Sequence, residues 1–256
     1  ILILIGMFIV SFMDATFKYI NTSVNLYEAY FVRTLISFGV IASYLKITNK
    51  PIIFTTHYPL LTSIRVILFF FGFSSFYISL TIMPLATATA LFFASPFLMT
   101  IFAIFFLKEE VGIRRWSAVI IGFIGVYIIL NPDFNDFDYL SLTPVLCAFC
   151  YALSMIIIKK TSDKDDVYSQ MFHFYIFAIT ISLIIYFFIG DGQYNNFDYP
   201  ASQFILRKWF SNLEFSLPYM IFIGVVGAAG FLCFFTAYRI ASPAVVSPFE
   251  YSILVW

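Results

Sequence analysis

Glu250 stands nine residues into the apolar run that opens at Ala241, within "ASPAVVSPFEYSILVW". At 1.5 Å per helical residue that is roughly 14 Å deep, near the middle of a ~30 Å hydrocarbon layer. An ionisable group at that depth costs about 2.5 kcal/mol or more unless it faces a cavity or a partner. The chemistry to expect of it is reversible binding of a proton or of a charged ligand. A protonated glutamate bonded to a neighbouring helix is the structural alternative.

A second set of charges lies in "SFMDATFKYI" and in "YEAYFVRTLISF". If the first two helices form an antiparallel hairpin around Ser23 and Val24, positions with similar summed numbers share a depth. Asp14 then lies level with Arg33, and Lys18 with Glu28. The first pair falls about six residues, or roughly 9 Å, below the surface. Pairing makes burial tolerable, so Asp14 and Arg33 read either as a clamp between helices or as a site that opens to a charged substrate. Lys18 and Glu28 lie closer to water and read as an interfacial pair.

Tyr77, Tyr151 and Tyr251 each join a flat apolar face to a hydroxyl and are candidates for binding. Pro84, Pro96, Pro243 and Pro248 interrupt apolar runs at corresponding places; each removes a backbone donor and frees a carbonyl, for kinks or for gating. Ala86, Ala90 and Ala94 form a small-residue stripe for close helix contact. Cys147 and Cys150 make a lone CxxC that reads as helix packing, since no second pair or histidine accompanies it. His57 and His173 read as interfacial or packing residues, and Lys108, Glu109 and Glu110 as an ordinary charged joint. No phosphate loop, HExxH, GxSxG or carboxylate cluster at metal spacing is present, so neither a metal nor a cofactor is expected.

The elements that position these residues follow from composition. Of 256 residues 62% are hydrophobic and 11% charged, against about 25% charged in soluble domains. The apolar residues come in long blocks, which calls for an all-α integral membrane protein and argues against an alternating β-barrel. Nine spans are expected, at about 1–20, 27–45, 62–82, 84–106, 115–131, 141–158, 167–189, 218–239 and 241 to the end. Ten of the 14 basic residues gather in alternate joints, with "NPDFNDFDY" and the long 190–217 loop opposite them. The positive-inside rule then puts the N-terminus in the cytoplasm and the long loop outside. The zero net charge gives no reason to expect nucleic acid as a partner.

The chain also reads as two copies of one plan. "GFSSFYISLTIMPLATATALFFASPF" from Gly72 is similar to "GFLCFFTAYRIASPAVVSPFEYS" from Gly230. Five helices per copy would invert the second copy, an arrangement that lets one central site open to either side. The halves are expected at 1–131 (helices 1–5) and 132–256 (helices 6–9). A tenth helix would complete the second half, so the chain reads as part of a longer protein.

These residues carry a family resemblance. "MDATFKYI…YEAYFVRTLISF", "MPLATATALFFASPF…FFLKEEVGIRRWSAVIIGFIGVYIIL" and "ASPAVVSPFEYSILVW" resemble the drug/metabolite transporter superfamily, in its EamA-type ten-helix branch. The resemblance implies two EamA repeats and a central cavity lined mainly by helices one, three, four, six, eight and nine. It also implies secondary transport of a small metabolite by alternating access: an amino acid, an organic acid, a nucleoside-like compound such as S-adenosylmethionine, or a drug. Proton coupling would fall to Glu250. The partners expected are that small molecule and the lipid bilayer, with a homodimer left open and a bacterial inner membrane as the setting. A membrane-embedded enzyme or a sensor is the rival reading; the first lacks a polar catalytic cluster, and the second has no need of an inverted repeat.

Overall fold

Polarity in this molecule is turned inside out. Phe105, Phe187 and Phe188 are 75%, 81% and 72% exposed, while Asp14, Glu28, Arg33, Arg65 and Glu250 are buried. In water such a surface would aggregate; in hydrocarbon the outer phenylalanines are solvated and the polar groups are sheltered from lipid. The computed structural model describes residues 1–130 and 139–255. The acidic joint and the boundary expected at 131/132 lie outside the described residues.

Eleven α-helices make up the described chain: α1 Leu2–Ile20, α2 Leu26–Ile47, α3 Pro59–Ser79, α4 Leu85–Phe92, α5 Ala94–Leu107, α6 Ile113–Leu130, α7 Thr143–Thr161, α8 Val167–Ile189, α9 Pro200–Leu206, α10 Leu213–Ile240 and α11 Pro243–Val246, with 3₁₀ helices at Tyr139–Leu142 and Ser247–Val255. Seven spans among the described residues are long and apolar enough to cross a membrane, α4 and α5 counting as one. The protein is therefore a multi-pass integral membrane protein.

Proline decides where the structure departs from a simple count of spans. The run expected as one helix over 84–106 is two, because Pro96 offers no N–H to the carbonyl of Phe92 and the chain breaks at Phe93. The stretch from Ala241 is likewise not one continuous α-helix. Pro243 opens α11, and Pro248 falls inside the 3₁₀ helix that carries Glu250. Pro218 does not start α10 but sits within it, since a proline near a helix N-terminus forfeits little more than one backbone bond. The long loop holds the short α9.

Packing follows a rule of exchange. α3 packs most heavily on α7 and α1 on α10; α2 meets α10 as α3 meets α8; and the terminal 3₁₀ helix lies on α1 as α5 lies on α7. The glycines of the two similar segments occupy matching places. A Cβ at Gly72 would meet Cys150 Cβ of α7 at 2.7 Å, and one at Gly230 would meet Ile9 and Val10 of α1 at 3.2 and 3.3 Å. Cys150 thus serves close packing.

Both ends of the bundle are tied by side chains at or beside helix caps. Asn25 Oδ1 accepts the N–H of Tyr27 at the start of α2, while its amide donates to the carbonyls of Ile205 and Arg207 at 2.6 and 2.8 Å. At the start of α8, Asp166 accepts the N–H of Tyr168. The adjacent Asp165 accepts from the Thr56 hydroxyl (2.5 Å) and the His57 N–H (2.8 Å). Arg239 at the end of α10 donates to the carbonyls of Asp165 and Ser162.

Candidate functional site

A chamber lies where the exchanged helices meet. Its walls come from α1 (Met7, Met13, Asp14), α3 (Phe69, Phe73, Phe76), α4 (Thr89, Phe92), α7 (Tyr151, Met155), α10 (Phe231, Phe234) and the terminal 3₁₀ helix (Glu250, Ile253). Numbered by the nine segments expected from the sequence, these fall in the first, third, fourth, sixth, eighth and ninth, the set that the resemblance assigns to the cavity. About 40 Å³ is open to the centres of water-sized molecules, room for a few waters at the ~10–15 Å³ each requires. The chamber is thus narrow, and a cargo-sized molecule needs it to widen.

Glu250 is held in place by hydroxyls. Tyr151 of α7 donates to Oε1 at 2.7 Å and Tyr238 of α10 donates to the same oxygen at 2.5 Å. Ser95 of α5, one residue before Pro96, approaches Oε2 at 3.4 Å. All four residues are buried, Glu250 at 0% exposure, and no cation lies within 4 Å of this carboxylate among the described residues. Hydroxyl donors make a buried carboxylate tolerable while leaving its charge uncompensated. Such a group can take up a proton or a cationic ligand. The 3₁₀ winding around Pro248 carries Glu250 to Tyr151, midway along α7, and to Tyr238, near the end of α10.

Asp14 and Arg33 come together in a way the depth count does not foresee. They form no direct ion pair; the one pair within 4.0 Å among the described residues is His57 with Asp165. Tyr77 of α3 stands between them. Arg33 Nη1 donates to its hydroxyl at 3.3 Å, and the hydroxyl donates to Asp14 Oδ1 at 3.3 Å. The Arg33 guanidinium lies 4.3 Å from the ring centroid of Tyr30, and Phe17 stacks on Tyr77 at 3.9 Å. Asp14 lines the chamber; Arg33 and Tyr77 lie behind it.

The expected pairing of Lys18 with Glu28 is not made. Lys18 donates to the carbonyls of Leu80 and Met83 just past α3, where a helix end leaves carbonyls without partners and favours a cation. Glu28 instead sits in the first turn of α2, near the backbone of Asn25 and Phe210 and the charge of Arg207. Tyr251 does not line the chamber itself; its ring packs against Phe93, which does, and its hydroxyl lies 3.5 Å from the Phe93 carbonyl.

Two residues of this region escape the sequence reading. Tyr238 is one of many aromatics in the sequence, although depth counting about the turn at Ser242 and Pro243 puts it within a helical turn of Glu250. Ser95 carries no signal, since a single serine beside a proline is common in spanning helices.

Residues 1–131 and 140–256 match the model of the EamA-like transporter family. Among curated proteins, an S-adenosylmethionine uptake transporter of Rickettsia prowazekii (strain Madrid E) is 30% identical over 247 residues, covering 96% of this chain and 76% of that protein. A riboflavin transporter of Vibrio cholerae is 30% identical over 171 residues, covering 67% of this chain and 51% of that protein. A solved structure superposes with a TM-score of 0.72 at 14% identity, covering 99% of this chain and 84% of that one, which is a likeness of fold.

Proposed function

The chain belongs to the EamA-like transporter family and is a membrane transporter of a small metabolite, and from that premise we propose that it takes up S-adenosylmethionine or a compound of similar size by alternating access. The two halves, 1–131 and 132–256, rock about the chamber, and Glu250 binds the proton or the cargo's cationic group that drives or accompanies the step. The observation that carries this reading is the buried Glu250 carboxylate, which lines the chamber and is held by Tyr151 and Tyr238 with no cation within 4 Å among the described residues.

Support for the halves comes from the exchange of helix contacts and from the matched places of Gly72 and Gly230. The breaks at Phe93 and after Pro243 give each half one interrupted span next to the chamber, where broken helices are tolerated because the freed backbone faces a cavity. The basic joints favour a cytoplasmic N-terminus in a bacterial inner membrane, and a homodimer is left open.

The test is uptake of labelled S-adenosylmethionine and riboflavin into proteoliposomes, with and without an imposed proton gradient, by the parent protein and by Glu250→Gln. The parent accumulates S-adenosylmethionine, and Glu250→Gln folds but loses uptake or its pH dependence. Uptake by Glu250→Gln equal to the parent at every pH would overturn the role of Glu250, and absence of uptake of both compounds would overturn the cargo.

A further inference from the structure

Arg65 is among the largest fully buried side chains of the described residues, at 0% exposure. Its Nη2 donates to the carbonyl of Gln170 at 2.7 Å, but Nε and Nη1 have no hydrogen-bond partner. No carboxylate approaches within 4.0 Å among the described residues. Asp165, whose charge reaches it at longer range, is already engaged by Thr56 and His57. Close by, Gln170 Oε1 is also without a partner. A buried cation with two idle donors is costly unless something anionic meets it. Arg33, equally deep, also leaves Nη2 without a partner among the described residues, but Tyr77 links its other terminal nitrogen to the carboxylate of Asp14, a link to a counter-charge that Arg65 lacks.

Its position gives this cost a purpose. Arg65 precedes Phe69 by four residues on α3 and so shares its face, and Phe69 lines the chamber. One layer of rings separates the guanidinium from the chamber. Phe69 packs on Phe231 at 5.5 Å and on Phe235 at 5.9 Å, and Phe235 lies 5.6 Å from the guanidinium. On its other side are the residues that tie the end of the bundle at Asp165. A ligand leaving the chamber toward that end passes Arg65 once the rings part.

We propose that Arg65 is an anion-binding station on the path between the chamber and the Asp165 end, taking a carboxylate or phosphate of the cargo. The guanidinium's rigid fork of donors suits either group in a two-point contact. Together with the carboxylates of Asp14 and Glu250, it fits the site to a cargo that carries both signs of charge. This rests on the chamber being the transport path.

The experiment compares uptake of S-adenosylmethionine with that of its decarboxylated form, which lacks only the carboxylate, in proteoliposomes of the parent, Arg65→Gln and Arg65→Lys. In the parent the decarboxylated compound has a KM at least about tenfold higher, the scale of one hydrogen bond to a charged group. Arg65→Gln raises KM about tenfold for S-adenosylmethionine and leaves the decarboxylated compound unchanged; Arg65→Lys falls between. Equal KM for the two compounds in the parent, a result that needs no variant to fold, overturns the proposal, as does an equal loss for both in a variant that folds. If the parent moves neither compound nor riboflavin, the proposed cargo fails, and melting of the purified protein in acetate, phosphate or chloride at equal ionic strength decides on Arg65. Stabilisation by acetate or phosphate that Arg65→Gln abolishes sustains the station and identifies its anion; no stabilisation by either refutes it.

Discussion

Asp14 of α1 and Arg33 of α2 meet only through the hydroxyl of Tyr77, which accepts from Arg33 Nη1 and donates to Asp14 Oδ1, each at 3.3 Å. One oxygen on α3 thus orients two opposite charges at once. Tyr77→Phe keeps the ring that stacks on Phe17 and removes that oxygen alone. A hydrogen bond to a charged group contributes about 1.5–3 kcal/mol, and two are lost here. The expected outcome is a folded protein with a clearly lower melting temperature and impaired uptake; a melting temperature equal to the parent's shows that the bridge is idle.

Exchanging the two charges separates a clamp from a site. Asp14 lines the chamber and Arg33 does not, so Asp14→Arg with Arg33→Asp keeps the balance of charge and sends a cation into the chamber. The double variant is expected to reach the membrane at near-parental level and to transport nothing, whereas each single variant, left with like charges side by side, expresses poorly. Uptake restored by the double exchange would make the pair a clamp only.

Tyr151 and Tyr238 donate to the same oxygen of Glu250, at 2.7 and 2.5 Å. Residues that share one acceptor couple, with interaction energies of about 0.5–3 kcal/mol. A double-mutant cycle with Tyr151→Phe and Tyr238→Phe, read by melting temperature and by KM, is therefore expected to be non-additive. Tyr151 also lines the chamber and Tyr238 does not, so only Tyr151→Phe changes the ranking of cargo compounds. Strict additivity in both readouts argues that one of the two bonds is absent in the membrane.

What the sequence makes legible here is what depth in a bilayer dictates. Long apolar blocks locate the spans, and a lone glutamate far from either surface draws attention to Glu250. Depth alone also brings Asp14 and Arg33 to mind as partners. It does not reveal Tyr77 between them, because counting along a hairpin says nothing about a third helix. The same blindness explains Lys18, which finds the carbonyls past α3 in place of Glu28, and Arg65, whose surroundings come from α7, α8 and α10. Proline marks where a helix cannot continue, yet whether the chain resumes as α-helix, as after Phe93, or as 3₁₀ helix, as after Val246, depends on neighbours distant in sequence.

Gly224 sets how closely α10 approaches α2. A Cβ there would lie 2.8 Å from Ile36 Cβ and 2.9 Å from the carbonyl oxygen of Arg33, and Ser37 donates to the Gly224 carbonyl at 2.6 Å. Gly224→Ala must push the helices apart, since backbone cannot yield as a side-chain tip does. Overpacking of this kind costs about 1–3 kcal/mol. Thermal unfolding in detergent should show the loss, with the Ser37 bond weakened in the same step, while Gly39→Ala, inside α2 with nothing within 4 Å among the described residues, should hold or raise the melting temperature, alanine being the better helix former. Equal effects of the two substitutions would mean that α2 and α10 do not pack this closely.

The tie at Asp165 has a pH dependence whose sign follows from its partners. Burial works to raise the pKa of this carboxyl, but the Thr56 hydroxyl, the His57 N–H and the His57 ring together outweigh it and hold it below its ordinary value of 3.8. A carboxyl depressed in the folded state contributes stability that is fully present above that ordinary value and is lost as pH falls through the lower, folded one. The end of the bundle where Asp165 joins the 55–58 segment to the turn before α8 should therefore hold at neutral pH and open in acid. Hydrogen-exchange protection of the His57 amide, corrected for the intrinsic rate, is expected to drop as pH is taken below 3.8. Asp165→Asn keeps an acceptor and discards the charge, so its protection should be lower at neutral pH and flat through the acid range. Protection in the parent that is indifferent to acid would show that Asp165 does not hold this end closed.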